Sequence, residues 1–215
     1  GLPVPFSYET ALNVTNKGFM KKRMIESGIP TSKYYFVDSS TDISSLELTY
    51  PVMVKPADSN GSFGVKKAKS PEEVILYLKE AVNISRTNKA IIEEYKEGIE
   101  VGIDFYIKDG KANLLMMGQV IKKAVDASTL LIYQTIIPAL ISDAAKERIE
   151  MIADQIAEVF KLDNTPLLLQ TLVNGDDVNV IEFSPRVGGA SKHRSVKMIT
   201  GFDILNSTVE SFLGT

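Results

Sequence analysis

The feature that most constrains the fold is a polar β-hairpin in the last quarter of the chain. Two apolar runs, residues 167–169 and 178–181, flank four turn-forming residues at 174–177. This pattern predicts two antiparallel strands joined by a tight turn. Gln170 follows the first run and Glu182 follows the second, so the hairpin carries polar groups where a plain core hairpin would carry none.

The second strand of this hairpin has polar side chains at alternate positions. Glu182, Ser184 and Arg186 share one face if the extended geometry persists, because side chains two residues apart in a strand point the same way. A carboxylate, a hydroxyl and a guanidinium on one face, opposite the amide oxygen of Gln170, favour a site for Mg²⁺ and phosphate.

Composition excludes several kinds of site. The 215 residues include no cysteine, which excludes disulfides, thiolate nucleophiles and zinc–thiolate centres. His193 is the single histidine, so a multi-histidine metal site is excluded as well. A net charge of −3 gives no support for a general nucleic-acid binder. No apolar run approaches the roughly 20 residues of a membrane helix, and together these absences favour a location in the cytoplasm.

Periodicity, capping and turn signals predict an α+β fold with antiparallel strands and helices on their faces. Thr15 or Asn16 caps a helix that stops at Gly28. Ser70 and Ser142 cap two more helices, which end near residues 83 and 161. The predicted strands cover residues 34–37, 50–55, 65–68, 90–94, 100–108 and 111–120, and a last helix covers residues 204–213.

Two neighbouring features are candidates for phosphate binding. Gly61, Ser62 and Gly64 form a loop between two predicted strands, and its glycines let backbone N–H groups approach an anion closely. The alternative for this loop is a simple hairpin connection. Lys55 ends the preceding strand, where its ammonium can reach a phosphate oxygen, and the alternative is a surface lysine. The loop is not a Walker A motif, because the lysine and Ser/Thr expected after the second glycine are missing.

A third candidate segment is acidic. Glu93, Glu94 and Tyr95 lie where a strand leads into a polar connection, whose backbone can pair with the edge of a purine. Glu100 can accept hydrogen bonds from ribose hydroxyls. The alternative for this segment is a solvated acidic turn.

A second glycine-rich loop, residues 186–194, is rich in cations. Arg186, Lys192, His193 and Arg194 suit an anionic substrate or a polyphosphate. The alternatives are a basic surface loop and, for His193, a structural role.

Taken in order, these segments resemble the ATP-grasp superfamily, and most closely its carboxylate–amine ligase and carbamoyl-phosphate synthetase large-subunit branch. The resemblance runs from Lys17 to the end of the chain. It rests on Asn16-Lys17 with its basic helix, Pro51-Val-Met-Val-Lys-Pro56, Ser59-Asn-Gly-Ser-Phe-Gly-Val65, Ile92-Glu-Glu-Tyr95 and the hairpin from Gln170 to Arg186. It implies an α+β ATP-grasp fold, in which two lobes with antiparallel sheets grip a nucleotide between them.

The resemblance also implies cofactors and residue roles. The expected cofactors are ATP and Mg²⁺, with Mn²⁺ as an alternative. The implied nucleotide contacts are Lys17 and Lys55 at the phosphates, the loop of Gly61, Ser62 and Gly64 above them, Glu93, Glu94 and Tyr95 at the adenine, and Glu100 at the ribose. The implied metal ligands are Gln170, Glu182 and Ser184, the implied catalytic residues are Arg186 and Lys55, and the implied substrate contacts are Lys192, His193 and Arg194.

Ser184 departs from the family pattern, Glu-x-Asn-x-Arg. Serine is a shorter and weaker neutral oxygen ligand than the asparagine amide. Gln170 is also uncharged, which leaves Glu182 as the one charged ligand of the three. We therefore expect weak Mg²⁺ binding, or one ion held mainly through ATP.

The resemblance implies the ATP-binding domain of an ATP-dependent ligase that forms carbon–nitrogen bonds. Such an enzyme activates a carboxylate as an acylphosphate, which an amine or a similar nucleophile then attacks. Two alternatives stay open: a non-catalytic ATP-binding or regulatory module, and a fragment that is inactive without its N-terminal domain.

The expected domain organisation has three parts. Residues 1–16 are interpreted as a linker left from a missing N-terminal domain, because the chain starts with glycine and has the linker-like sequence Leu2-Pro-Val-Pro-Phe6. The ATP-grasp domain, residues 17–215, divides into a smaller lid lobe, about 34–95, and a larger lobe, about 96–215 with helix 17–28. We expect specificity to come from the missing domain and from loops 122–134 and 187–194. The substrate pair is therefore not predicted, and a homodimer stays open.

Overall fold

The structure, a computed structural model, describes residues 4–59, 61–124 and 130–214. In these ranges the helices are α1 (Tyr8–Thr15), α2 (Lys17–Glu26), α3 (Pro71–Ile84), α4 (Asp143–Val159), α5 (Lys192–Thr200) and α6 (Ile204–Leu213). The strands are β1 (Tyr34–Val37), β2 (Val52–Pro56), β3 (Lys66–Ala68), β4 (Ala90–Glu94), β5 (Ile99–Lys108), β6 (Lys111–Ala124), β7 (Leu130–Ile136), β8 (Thr165–Asn174) and β9 (Asp177–Ser184). None of the helices in the described ranges is both long and apolar enough to cross a membrane.

The smaller sheet has four antiparallel strands in the order β1-β4-β2-β3. Its apolar face packs against α3, where Val54 and Ile92 meet Val74 and Leu78 in a buried cluster. The Ser70 hydroxyl accepts a hydrogen bond from the N–H of Glu73 and caps α3 as predicted. This sheet leaves its other face and the end of β4 available to build one wall of a cleft.

The larger sheet has five antiparallel strands in the order β7-β6-β5-β8-β9. Strand β5 turns Ile103 and Phe105 toward Ile149 and Ile156 of α4 in the main core. Because side chains alternate along a strand, Glu100, Gly102 and Asp104 of β5 point to the opposite face of the sheet. The polar side chains of this part of β5 therefore lie on the face away from α4.

Helix α2 precedes the smaller sheet in the chain but packs with the larger one. Met20 and Met24 are buried in the main core. After the helix, Pro30 accepts a hydrogen bond from the N–H of Val180, and Thr31 pairs with Val180 in a parallel bridge to β9. The chain then continues into the smaller sheet and reaches the larger sheet again through residues 95–98. The predicted boundaries of the two lobes stay a prediction.

Helices together with antiparallel sheets confirm the predicted α+β class, but three segments differ from the sequence prediction. Residues 8–15, interpreted as linker, form α1, and the Thr10 hydroxyl donates to the Phe160 carbonyl at 3.1 Å. The predicted loop 122–134 is wrong at both ends, because residues 122–124 belong to β6 and residues 130–134 to β7. The predicted loop 187–194 ends early, since α5 begins at Lys192. Residues 1–3, Asn60, residues 125–129 and Thr215 lie outside the described residues.

Candidate functional site

A cleft of about 930 Å³ lies between the two sheets. The smaller sheet lines it through β2, β3 and β4, and the larger sheet through β5, β6, β8 and β9. Six lysines and four glutamates are among its lining residues, so the cleft has a surplus of positive charge. Nine of the predicted site residues line it: Lys17, Lys55, Ser62, Glu93, Glu94, Tyr95, Glu100, Gln170 and Glu182.

Three buried charges form a cluster at the back of the cleft. Glu93, on β4, contacts the ammonium of Lys55, on β2, through one carboxylate oxygen, and its other oxygen lies 3.0 Å from the ammonium of Lys21. The side chains of Lys21, Glu93 and Lys55 are 2%, 7% and 8% exposed. One carboxylate thus serves two buried ammonium groups.

The pKa directions in this cluster follow from burial and charge. Burial is the largest influence on Lys21 and lowers the pKa of its ammonium, although Glu93 opposes this. Burial would raise the pKa of Glu93, but the ammonium groups of Lys55 and Lys21 together outweigh it and lower that pKa. Glu93 is therefore ionised, and its negative charge offsets part of the cost of burying two ammonium groups.

Lys17 links the entry helix to both walls of the cleft. Asn16 caps α2 by accepting hydrogen bonds from the N–H groups of Gly18 and Phe19, at 2.9 and 3.2 Å. The first residue of that helix is Lys17, whose ammonium donates to the carbonyl of Ser59 and lies 3.4 Å from a carboxylate oxygen of Glu182. A cation thus lies between the glycine-rich loop and the predicted metal ligand.

The hairpin of β8 and β9 brings Gln170 and Glu182 together as cross-strand partners. The register shifts directly after this pair, and both Ile181 and Glu182 line the cleft. A carboxylate and an amide oxygen are hard donors that suit Mg²⁺. Among residues 4–59, 61–124 and 130–214, no group of three or more acidic or histidine side chains could hold a metal ion. The donor set therefore fits an ion that is also held by phosphates.

Ser184 and Arg186 do not line the cleft in this structure. Strand β9 ends at Ser184, so the extended geometry on which the prediction of a common face depended does not continue to Arg186. The Arg186 guanidinium is exposed and donates to the Val187 carbonyl at 3.0 Å. The predicted roles of both residues stay predictions.

Two unpartnered oxygens lie at the other end of the cleft. One carboxylate oxygen of Glu100 is 2.7 Å from the ammonium of Lys122, a residue of β6. The other carboxylate oxygen of Glu100 and the amide oxygen of Gln119 are buried and lack a hydrogen-bond partner. Buried acceptors without a donor are costly, so this end of the cleft is suited to a ligand that brings hydroxyl or amino donors.

The connection between the sheets, residues 95–98, borders the cleft on one side. The ammonium of Lys67 lies 3.5 Å from the centre of the Tyr95 ring, a cation–π contact. Glu94 pairs with Lys96 at 2.7 Å. Gly98 has a φ of +155°, and a Cβ atom there would lie 2.7 Å from the Val173 carbonyl oxygen. The chain therefore needs glycine where it enters the larger sheet.

The glycine-rich loop reaches the cleft through Ser62, whereas Gly61 and Gly64 are not among the lining residues. The Ser59 hydroxyl donates to the Phe63 carbonyl at 2.9 Å and closes the loop on itself. Phe63 is two-thirds exposed. The predicted phosphate contacts of this loop stay predictions.

The predicted substrate residues Lys192, His193 and Arg194 form the first turn of α5, outside the cleft lining. The Lys192 ammonium lies 2.9 Å from a carboxylate oxygen of Asp104, which is 2% exposed. Burial raises the pKa of Asp104, against the opposing charges of Lys192 and Arg186. The loop before α5 is thereby attached to the polar face of β5.

The charged residues of this region that sequence reasoning missed include Lys21 and Asp104. A spacing signal existed for each. Lys21 lies one helical turn after Lys17, and Asp104 shares a strand face with Glu100, four residues earlier.

Comparison with known proteins identifies the family. The model of the family described as "D-ala D-ala ligase C-terminus" matches residues 24–166. A D-alanine–D-alanine ligase from Flavobacterium johnsoniae is 26% identical over 182 residues, which cover 76% of this chain and 55% of that ligase. The large chain of carbamoyl phosphate synthase from a Thermoanaerobacter species is 28% identical over 185 residues, 83% of this chain and 16% of that protein.

The fold is shared with solved ligases. D-alanine–D-alanine ligase from Bacillus anthracis, in complex with ATP, superposes with a TM-score of 0.73 at 20% identity and covers 95% of this chain and 68% of the ligase chain. The chain spans about half the length of the curated D-alanine–D-alanine ligases it matches. Since the family model covers more than half of the chain, the resemblance is confirmed and this chain belongs to the D-ala D-ala ligase C-terminus family, with the ATP-grasp fold.

Proposed function

We propose that this chain binds ATP with Mg²⁺ in the cleft between its sheets, as the ATP-binding part of a ligase that activates a carboxylate. The observation that supports this most is the convergence of Lys17, Lys55 and Glu182 on one cleft that carries a surplus of lysines. Converging cations at a concave site favour a polyphosphate ligand.

The cleft offers a partner to each part of the nucleotide. Lys17 and Lys55 are suited to the phosphates, and the free acceptor oxygens of Glu100 and Gln119 are suited to ribose hydroxyl and adenine amino groups. Gln170 and Glu182 would hold Mg²⁺ together with phosphate oxygens. When bound, Mg²⁺ would neutralise negative charge that builds up on the phosphates.

The proposed reaction has two steps. A carboxylate oxygen of the substrate attacks the γ-phosphorus, the bond to the bridging oxygen breaks, and the electron pair leaves with ADP. An amine nitrogen then attacks the acyl carbon, loses a proton, and inorganic phosphate leaves. No protein nucleophile is needed, which agrees with the absence of cysteine. The protein residues align the reactants and neutralise charge.

The second candidate is a non-catalytic nucleotide-binding module. Ser184 in the position of the family's asparagine favours it, because a weaker metal ligand is tolerable where no phosphoryl group is transferred. Release of phosphate by the full-length protein in the presence of ATP, an acid and an amine would exclude this candidate. The cytoplasmic location, a homodimer and the need for a further N-terminal domain stay predictions.

A calorimetric titration with a non-hydrolysable ATP analogue and Mg²⁺ tests the proposed binding. Lys55→Ala is expected to lower the affinity at least tenfold, roughly the loss of one charge-assisted contact. Lys69→Ala is the matched control, since Lys69 is exposed just after β3 and does not line the cleft. Equal affinities for wild type and Lys55→Ala would contradict the proposal. Binding by a full-length protein but not by this chain would instead mean that the site needs residues outside this chain.

A further inference from the structure

The Lys21–Glu93–Lys55 cluster contains one more positive charge than its carboxylate can neutralise. All three side chains are nearly buried, and Glu93 contacts both ammonium groups. Lys55 and Glu93 line the cleft, whereas Lys21 does not. Lys55 can therefore exchange its partner for a ligand in the cleft, and Lys21 cannot.

Lys21 is fixed from the side of the larger sheet. Its ammonium donates to the Thr31 hydroxyl at 2.7 Å, and that hydroxyl donates to the Val180 carbonyl of β9 at 2.9 Å. Helix α2, which carries Lys21, is itself packed into the main core. The ammonium of Lys21 is thus held at Glu93 whether or not the cleft contains a ligand.

Resting on the proposed function, we propose that Lys21 is a positioning residue that frees Lys55 for the nucleotide phosphates. When Lys55 turns toward a phosphate, its hold on Glu93 weakens, and a buried carboxylate that loses its counter-ion is strongly unfavourable. Lys21 continues to neutralise Glu93, so Lys55 can carry its full charge to the ligand. Without Lys21, Glu93 and Lys55 form a neutral buried pair that phosphate must first break.

The proposal predicts different effects on the binding of ligands with and without phosphates. Lys21→Met is expected to weaken binding of a non-hydrolysable ATP analogue with Mg²⁺ on the order of tenfold, a typical size for indirect coupling. Adenosine, which lacks phosphates, is expected to bind the variant as it binds the wild type. Lys22→Met is the matched control, because Lys22 lies next to Lys21 in α2 but its side chain is 69% exposed.

A second variant separates charge from structure. Lys21→Arg keeps a positive charge beside Glu93, so Lys55 should stay free for the phosphates. Affinity for the analogue is expected to stay within about threefold of wild type, a difference of about 0.65 kcal/mol. If Lys21→Met does not fold, the affinity of this second variant for the analogue still tests the proposal.

Calorimetric titration of the wild type and the three variants, with the ATP analogue and with adenosine, tests the inference. An unchanged affinity of Lys21→Met for the analogue would overturn it, and so would an equal loss for analogue and adenosine, which indicates a structural role. Weak binding by the folded Lys21→Arg variant would overturn it as well. A wild type that does not bind the analogue overturns the proposed function and this inference together.

Discussion

At the scale of single residues, Gly188 shows how closely the loop before α5 approaches the sheet. A Cβ atom at Gly188 would lie 2.4 Å from Cδ of Lys192 and 2.5 Å from Oδ1 of Asp104. Neither neighbour can move freely, because Asp104 is buried and ion-paired with Lys192 at 2.9 Å. Glycine at this position is therefore required by space.

We expect Gly188→Ala to lower the melting temperature. Overpacking a tight contact costs about 1–3 kcal/mol, which for a chain of this size corresponds to about 2–12 °C. Gly189→Ala is the control, since a Cβ atom there would meet no atom within 4 Å. Differential scanning calorimetry of both variants measures the difference, and equal melting temperatures would refute the steric argument.

A site residue could be predicted from the sequence when its partners lie close to it along the chain. Lys17, Lys55, Glu100 and Glu182 stand in short ordered motifs, and all four line the cleft. Asp104 was missed because its role depends on Lys192, which lies 88 residues later in the chain. A strand residue between apolar neighbours gives no sign of so distant an ion pair.

At the scale of elements, the formation of α2 depends on the residue that caps its N-terminus. Asn16 is nearly buried, and its side-chain oxygen accepts from two backbone N–H groups of the first turn. Such groups have no partner within the helix, so the cap both starts the helix and fixes the direction of Lys17. The prediction of Thr15 or Asn16 as the cap is settled in favour of Asn16.

We expect Asn16→Ala to destabilise the protein by about 1–2 kcal/mol, the upper part of the range for N-cap residues, because the freed N–H groups are shielded from water. Urea denaturation measures the loss. Asn16→Ser keeps a capping oxygen and should lose less than half as much. A variant with alanine that is as stable as the one with serine would show that the cap does not hold the helix.

Elements with a local signal were predictable, and elements without one were not. Ser70 and Ser142 cap α3 and α4, and the sequence shows both caps together with an apolar stripe. Strand β7 exposes consecutive apolar residues, Leu131, Ile132 and Tyr133, so it lacks the alternation of a half-buried strand. Helix α5 buries Val196 alone and has no side-chain cap. Packing against neighbours, rather than local sequence, determines these two elements.

At the scale of the whole molecule, the two sheets are joined by residues 27–33 and 95–98 and by charges that cross the cleft. Lys17 contacts Ser59 on one side and Glu182 on the other. Glu93 of the smaller sheet contacts Lys21, which is fixed to β9 through Thr31. Lys17, Glu93 and Glu182 also line the cleft proposed for the nucleotide, so ligand binding and the relative position of the sheets are coupled.

We therefore expect the ATP analogue with Mg²⁺ to stabilise both walls of the cleft at once. At a ligand concentration about 100 times Kd the added stability is about 2.7 kcal/mol, which corresponds to a rise in melting temperature of about 5–11 °C. Hydrogen exchange should slow in residues 52–59, 61–68 and 90–98 of one wall and in β9 of the other. Helix α4, on the far side of the larger sheet, is the internal reference and should change little. A ligand held by both Lys55 and Glu182 must restrain both walls of the cleft. Slower hydrogen exchange in one wall alone would therefore mean that the nucleotide binds without bridging the sheets.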